Sequence, residues 1–279
     1  LFRSSAASDV YKRQYQGSEG SYSEELLKKE FSNYSFIACE SFTELLNKVS
    51  SESCFGLLPV ENSIAGTVNE AYEELINSGL EIFGEYIKKI DHTLIGLSNS
   101  KFEEITHVIS HPQALQQCSK FLQDSKLRIT PVFDTAGSVF EILETKDINT
   151  AAIAGEHFKN DERFKILKEN ISNHQENFTR FLLIGNEKLE SNKENNKYSS
   201  VLISDDKPGS LLKALNIFSD LNINLTKLES RPILGRPWEY KFYIDYELQN
   251  VKTQTELIDG IKKVSKEFII LGHYPKANP

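Results

Sequence analysis

Between Tyr15 and about Gly185, short apolar runs alternate with segments of roughly 10 to 15 residues whose apolar positions recur at helical spacing, as Phe42, Leu45, Leu46 and Val49 do. Such alternation predicts βα units around a mainly parallel sheet, an α/β region. Strands are predicted at 35–39, 55–60, 80–86, 93–97, 107–110, 128–133, 151–154 and 181–184, several of them apolar throughout, as strands covered on both faces should be. Ser21 with Glu24 and Ser41 with Glu44 read as capping boxes that open helices. Residues 186–198, NEKLESNKENNKY, hold one aliphatic side chain and read as a linker. Beyond it, 199–275 gives strand (201–204), helix (208–221), strands (223–229 and 239–246), helix (253–264) and strand (267–271). That is the βαββαβ order of ferredoxin-like domains.

Composition narrows the possible functions. The 279 residues are 39% hydrophobic and 26% charged, with 32 basic against 40 acidic side chains, a net charge of −8. No basic stripe or tail offers phosphates a footing, which argues against nucleic acid as a partner. No apolar run approaches the length of a membrane-spanning helix, which argues against a membrane protein. Cys39, Cys54 and Cys118 are an odd number without CxxC spacing, which suggests a reducing compartment, by default the cytoplasm, and no thiolate metal site. No cofactor motif stands out either. The chain has no methionine, and residues 1–14 (LFRSSAASDVYKRQ) lack the apolar core of a secretory signal. They are expected to be a non-native leader, with regular patterning starting at Tyr15.

In open parallel sheets ligands gather beyond the carboxyl ends of strands, so polar residues just after apolar runs are the first candidates for chemistry. Run 55–60 leads into Glu61-Asn62-Ser63, and run 107–109 into Ser110-His111-Pro112-Gln113 ahead of a helix carrying Gln116 and Gln117. Plain polar loops are the alternative at both places. A third cluster, Asn177-Phe178-Thr179-Arg180-Phe181, precedes its apolar run. Arg180 is one of three arginines between Tyr15 and Gly185, and a guanidinium beside a buried strand wants an anion, either a ligand or an internal carboxylate. His107 and His111 have the spacing of helical metal pairs, but a strand there would part them by ~13 Å, too far to share an ion. The loop from Gly17 to Ser21 matches no phosphate-binding pattern and reads as a tight turn at a site margin.

Taken together, YQGSEGSYS (15–23), LPVENSIAGTV (58–68), SHPQALQQCSKFL (110–122), DTAG (134–137), AAIAGE (151–156) and NFTRF (177–181) resemble prephenate dehydratases, in the family's order. The resemblance implies a catalytic domain at 15–185 with two lobes of the periplasmic-binding-protein kind (type II). The chain would cross between lobes near residues 89–97 and 172–181, with substrate between them. It implies decarboxylating dehydration of prephenate to phenylpyruvate in phenylalanine biosynthesis, without a cofactor or metal. Thr179 matches the threonine held essential in the family, and Glu61, Asn62, Ser63, Ser110 and Gln117 match cleft residues. Arg180 is expected to hold a substrate carboxylate, and Phe181, Gln113, Gly17 and Ser21 to margin the cleft.

Residues 199–275 resemble an ACT regulatory domain. Gly209-Ser210-Leu211 and Glu229-Ser230-Arg231-Pro232 match the segments that such dehydratases use for L-phenylalanine, although the family commonly has alanine where Ser210 stands. Paired ACT domains imply a homodimer or homotetramer inhibited by phenylalanine. Two alternatives remain from sequence: arogenate dehydratase, which uses the amino counterpart of prephenate, and a non-catalytic small-molecule sensor, for which both folds are common.

Overall fold

The structure is a computed structural model describing residues 12–52, 54–186 and 196–277. The chain forms two compact units. The first takes the described residues to Ser78 with Tyr86–Leu182, and the second takes Gly79–Glu85 with the described residues from Leu183.

In the first unit β1 (Lys12–Gln16), α1 (Tyr22–Glu30), β2 (Ser35–Cys39), α2 (Phe42–Glu52), β3 (Phe55–Asn62), the short β4 (Gly66–Thr67) and α3 (Asn69–Ser78) follow one another. Strand β1 lies parallel to both β2 and β3. It starts before Tyr15, where regular patterning was expected to begin: Lys12, Arg13 and Gln14 belong to the strand, with Arg13 and Gln14 buried, while 1–11 lie outside the described residues. Arg13 shows why pattern reading stopped short, because a basic residue does not announce a central strand. Its guanidinium lies 3.8 Å from the ring centre of Phe31 and 4.2 Å from that of Tyr34.

Strand β5 (Glu81–Lys89) leads into a second sheet built from β6 (His92–Leu97), β7 (His107–Ser110), β8 (Arg128–Pro131), β9 (Thr150–Gly155) and β10 (Phe164–Lys168). The order is β10-β6-β9-β7-β8, with β7 parallel to β8 and β9, and β6 antiparallel to β9 and β10. Helices α4 (Pro112–Gln117), α5 (Ser119–Ser125) and α6 (Gly137–Thr145) join these strands. Successive strand residues face opposite sides, so Leu94, Val108, Ala151 and Ile153 pack one core while Ile95, Ile109, Ala152 and Ala154 pack another. Burial on both faces is why these runs read as continuously apolar. Strand β11 (Phe178–Gly185) returns the chain beside β3.

The second unit runs β12 (Lys197–Ser204), α7 (Ser210–Asp220), β13 (Asn224–Ile233), β14 (Arg236–Glu247), α8 (Val251–Lys262) and β15 (Ser265–Tyr274). Its antiparallel sheet has the order β13-β14-β12-β15, with one core formed by Tyr198, Leu202, Ala214, Phe218, Ile244, Tyr246, Leu257 and Ile261. Several boundaries differ from expectation, three of them for a visible reason. Lys197 and Tyr198 of the supposed linker are buried in β12, where Lys197 Nζ meets the buried Glu85 at 2.8 Å, and 187–195 lie outside the described residues. Strand β13 extends through Ser230, Arg231 and Pro232, because β14 reaches far enough to pair with them. Helix α7 starts after Gly209, whose φ of 80° suits a residue without Cβ. Among the described residues no helix is long and apolar enough to cross a membrane.

Candidate active site

A cavity of about 490 Å³ opens in the first unit, within the range of small-molecule sites. Three helix starts face it. Ser21, Tyr22 and Ser23 come from the beginning of α1, Pro112, Gln113 and Ala114 from α4, and Asp134, Thr135 and Ala136 from the residues before α6. The local sequence sets each start. Ser21 Oγ accepts from Glu24 N and Glu24 reaches back to Gly20 N at 2.7 Å, a capping box. His111 Nδ1 accepts from Gln113 N at 3.2 Å, and Asp134 Oδ1 accepts from Gly137 N.

Thr179, on β11, lines the cavity with Asn62, Gln117 and His92. The end of β3 turns at Asn62, whose Oδ1 accepts from the backbone of Ile64 (3.1 Å) and Ala65 (2.9 Å). Its Nδ2 donates to Asn177 Oδ1 at 2.7 Å and to Thr179 Oγ1 at 3.0 Å. Asn177, fully buried, donates to Gln117 Oε1 at 3.0 Å, and His92 Nε2 lies 2.8 Å from the same oxygen. Tyr22 hydroxyl lies 3.1 Å from His92 Nδ1 and 2.9 Å from the Asp91 carbonyl. Burial depresses the His92 pKa, which the bond to Gln117 only partly opposes, so the ring is neutral near pH 7. Burial likewise pushes the Tyr22 phenol well above its usual value.

Of the residues read from sequence, Thr179, Asn62, Gln117, Phe181, Gln113, Gly17 and Ser21 line this cavity. Glu61, Ser63, Ser110 and Arg180 do not. Arg180 Nη1 stands 3.6 Å from Glu61 Oε2, the internal carboxylate that a guanidinium beside a strand can choose over a ligand. Ser63 joins the ends of β3 and β11, its amide donating to Phe178 O at 2.8 Å and its Oγ accepting from Phe178 N at 2.9 Å. Ser110 is wholly buried and donates to Ile153 O at 2.7 Å. No Lys or Arg lines the cavity among the described residues, and Asp134 is its acidic member.

Sequence reading missed His92, Tyr22 and a role for Asn177. A signal existed for two of them: His92 stands directly before the predicted strand 93–97, and Asn177 falls on the same face as Thr179 by the period of two. In the second unit Gly209 caps α7, and Glu229 on β13 is met by Lys227 at 3.1 Å and by Arg231.

The chain is similar to known proteins over most of its length. The family profile described as prephenate dehydratase matches residues 14–189. A protein of Methanocaldococcus jannaschii called prephenate dehydratase is 36% identical over 264 residues, covering 92% of this chain and 95% of its own. One from Arabidopsis thaliana called arogenate dehydratase/prephenate dehydratase 1, chloroplastic, is 32% identical over 292 residues, covering 99% of this chain and 74% of its own. Among solved structures, prephenate dehydratase from Arthrobacter aurescens in complex with L-Phe superposes with a TM-score of 0.85 at 24% identity, over 95% of this chain and 90% of that one.

Proposed function

This chain belongs to the prephenate dehydratase family of hydro-lyases, and on that premise we propose that it converts prephenate to phenylpyruvate in the cavity lined by Thr179. One observation carries the reading: the Thr179 hydroxyl, an asparagine and a glutamine converge on a cavity of small-molecule size.

Prephenate carries a ring carboxylate, a pyruvyl carboxylate and a ring hydroxyl para to the first. Breaking the bond between the ring and its carboxylate releases carbon dioxide and supplies the electrons for aromatisation. The hydroxyl departs with a proton, as water. The enzyme must donate to the leaving hydroxyl, anchor the side-chain carboxylate and leave the ring carboxylate loosely held, since tight binding there would oppose decarboxylation. Thr179 donates to the departing oxygen in this reading. Gln117 and the first-turn amides of α1 that its cap does not take, those of Tyr22 and Ser23, serve the carboxylates, the role that a helix N-terminus can take where no described cation lines the wall. The Glu61–Arg180 pair and Ser63 hold the strand ends that carry Asn62 and Thr179.

We further propose that the second unit is an ACT domain, with L-phenylalanine held by Gly209, Ser210, Leu211, Glu229, Ser230, Arg231 and Pro232, and that copies pair as a homodimer or homotetramer. The βαββαβ order and the phenylalanine-bound relative support the domain and its ligand. The Arabidopsis relative favours a second substrate reading, arogenate. Side-by-side turnover of prephenate and arogenate tests both: phenylpyruvate or phenylalanine formation is expected, and inactivity toward both would overturn the dehydratase reading.

A further inference from the structure

We propose that Asn177 and His92 are positioning residues that decide, through a hydrogen-bond chain of fixed direction, which atoms Thr179 and Gln117 present to the substrate. The inference rests on the dehydratase reading of the cavity. The direction originates in the backbone, where donor and acceptor are unambiguous. Ile64 N and Ala65 N can only donate, so the Asn62 atom they meet is Oδ1 and the opposite atom is Nδ2. An amide nitrogen cannot accept. Thr179 Oγ1, 3.0 Å from that Nδ2, therefore accepts, and its own hydrogen is committed to no described residue.

The same logic runs outward. Asn177 accepts from Asn62 at Oδ1 (2.7 Å), so it turns Nδ2 to Gln117 (3.0 Å) and the facing Gln117 atom is Oε1. His92 Nε2, 2.8 Å from that oxygen, must then carry the ring proton. Its Nδ1 is left as an acceptor opposite the Tyr22 hydroxyl at 3.1 Å, whose single hydrogen it shares with the Asp91 carbonyl at 2.9 Å. With Oε1 taken twice, Gln117 offers its NH₂ group to the cavity it lines. Both polar side chains thus present hydrogens, which a departing hydroxide and a carboxylate require. Running the chain in reverse would turn the Gln117 carbonyl oxygen toward an anion.

Asn177→Asp tests the direction at nearly constant shape. The introduced carboxylate, when ionised, accepts only and would reverse Gln117, whereas its protonated form can still donate to Oε1. The ratio of variant to wild-type kcat/KM is expected to rise at least ~tenfold as pH falls from about 8 to about 5.5, a range in which a buried carboxyl can take up its proton. Circular dichroism at each pH confines the comparison to folded protein. A ratio independent of pH would overturn the proposal. Should Asn177→Asp not fold, His92→Gln and His92→Leu decide. The Gln amide can donate to Gln117 and is expected to stay within about threefold of wild type, while Leu loses about tenfold or more. Equal activity of the two would count against the chain. Nitrogen-15 spectra of histidine-labelled protein read the tautomer without turnover: His92 protonated at Nδ1 would sink the proposal even in an active enzyme, and protonation at Nε2 would uphold it even if neither substrate reacts.

Discussion

A threonine hydroxyl is a weak acid, yet a leaving hydroxide needs little more than a well-aimed donor. Thr179→Val keeps the shape of the side chain and removes that donor, so kcat is expected to fall ~10²- to 10³-fold with KM little changed; near-normal turnover would remove the assigned role. Arg13 presents the opposite case, a charge with no chemistry to perform. It is 2% exposed, its Nε and Nη1 have no hydrogen-bond partner among the described residues, and burial lowers its pKa. Contacts with the rings of Phe31 and Tyr34 offset only part of its lost hydration. Arg13→Met, which keeps more of the side-chain volume without the charge, is therefore expected to stabilise the protein by about 1 kcal/mol or more, read as a raised melting temperature. An unchanged or lowered midpoint would show that the rings suffice. Both residues stood in plain sight in the sequence. What each touches did not, because partners such as Asn62 and Phe31 are distant along the chain.

Among the elements, the helix expected after Ser110 is broken into α4 and α5 at Cys118, and the break is filled from far along the chain. Asn173, in the segment between β10 and β11, donates its backbone N–H to Gln117 O at 2.7 Å. Its side chain donates to Gln116 O at 3.2 Å and accepts from Lys120 N at 3.0 Å. The returning segment is thereby tied to the turn that carries Gln117. Asn173→Ala leaves those side-chain bonds unmade and should cost about 1–3 kcal/mol of stability, while raising KM several-fold by loosening Gln117. A melting curve and a KM that both match wild type would contradict this. Helical spacing pointed to this region, but the break had no signal of its own, since only a partner about 50 residues or more away makes it tolerable. Strand boundaries slipped for a similar reason: β13 runs through Pro232 because β14 is there to pair with it.

For the molecule as a whole, the proposed assembly bears on the second unit, where Leu234, between β13 and β14, is 85% exposed and Trp238, near the start of β14, is 81% exposed. Large apolar side chains this open suit a covered surface. If copies pair there, Trp238→Glu should shift the protein toward monomer in sedimentation and weaken any inhibition by phenylalanine, whereas an unchanged sedimentation profile would place the pairing surface elsewhere. The sequence by itself determined the α/β and βαββαβ element orders, because periodicity and turn residues act locally, and it determined the family, because its motifs are contiguous strings. Only the tertiary structure decided that Glu61 takes Arg180, that Ser110 is held inside, and that His92 and Asn177 come within hydrogen-bonding distance of Gln117 and Asn62. Those outcomes depend on which polar atoms come within about 3 Å of one another, a distance set by packing between segments with no fixed spacing along the chain.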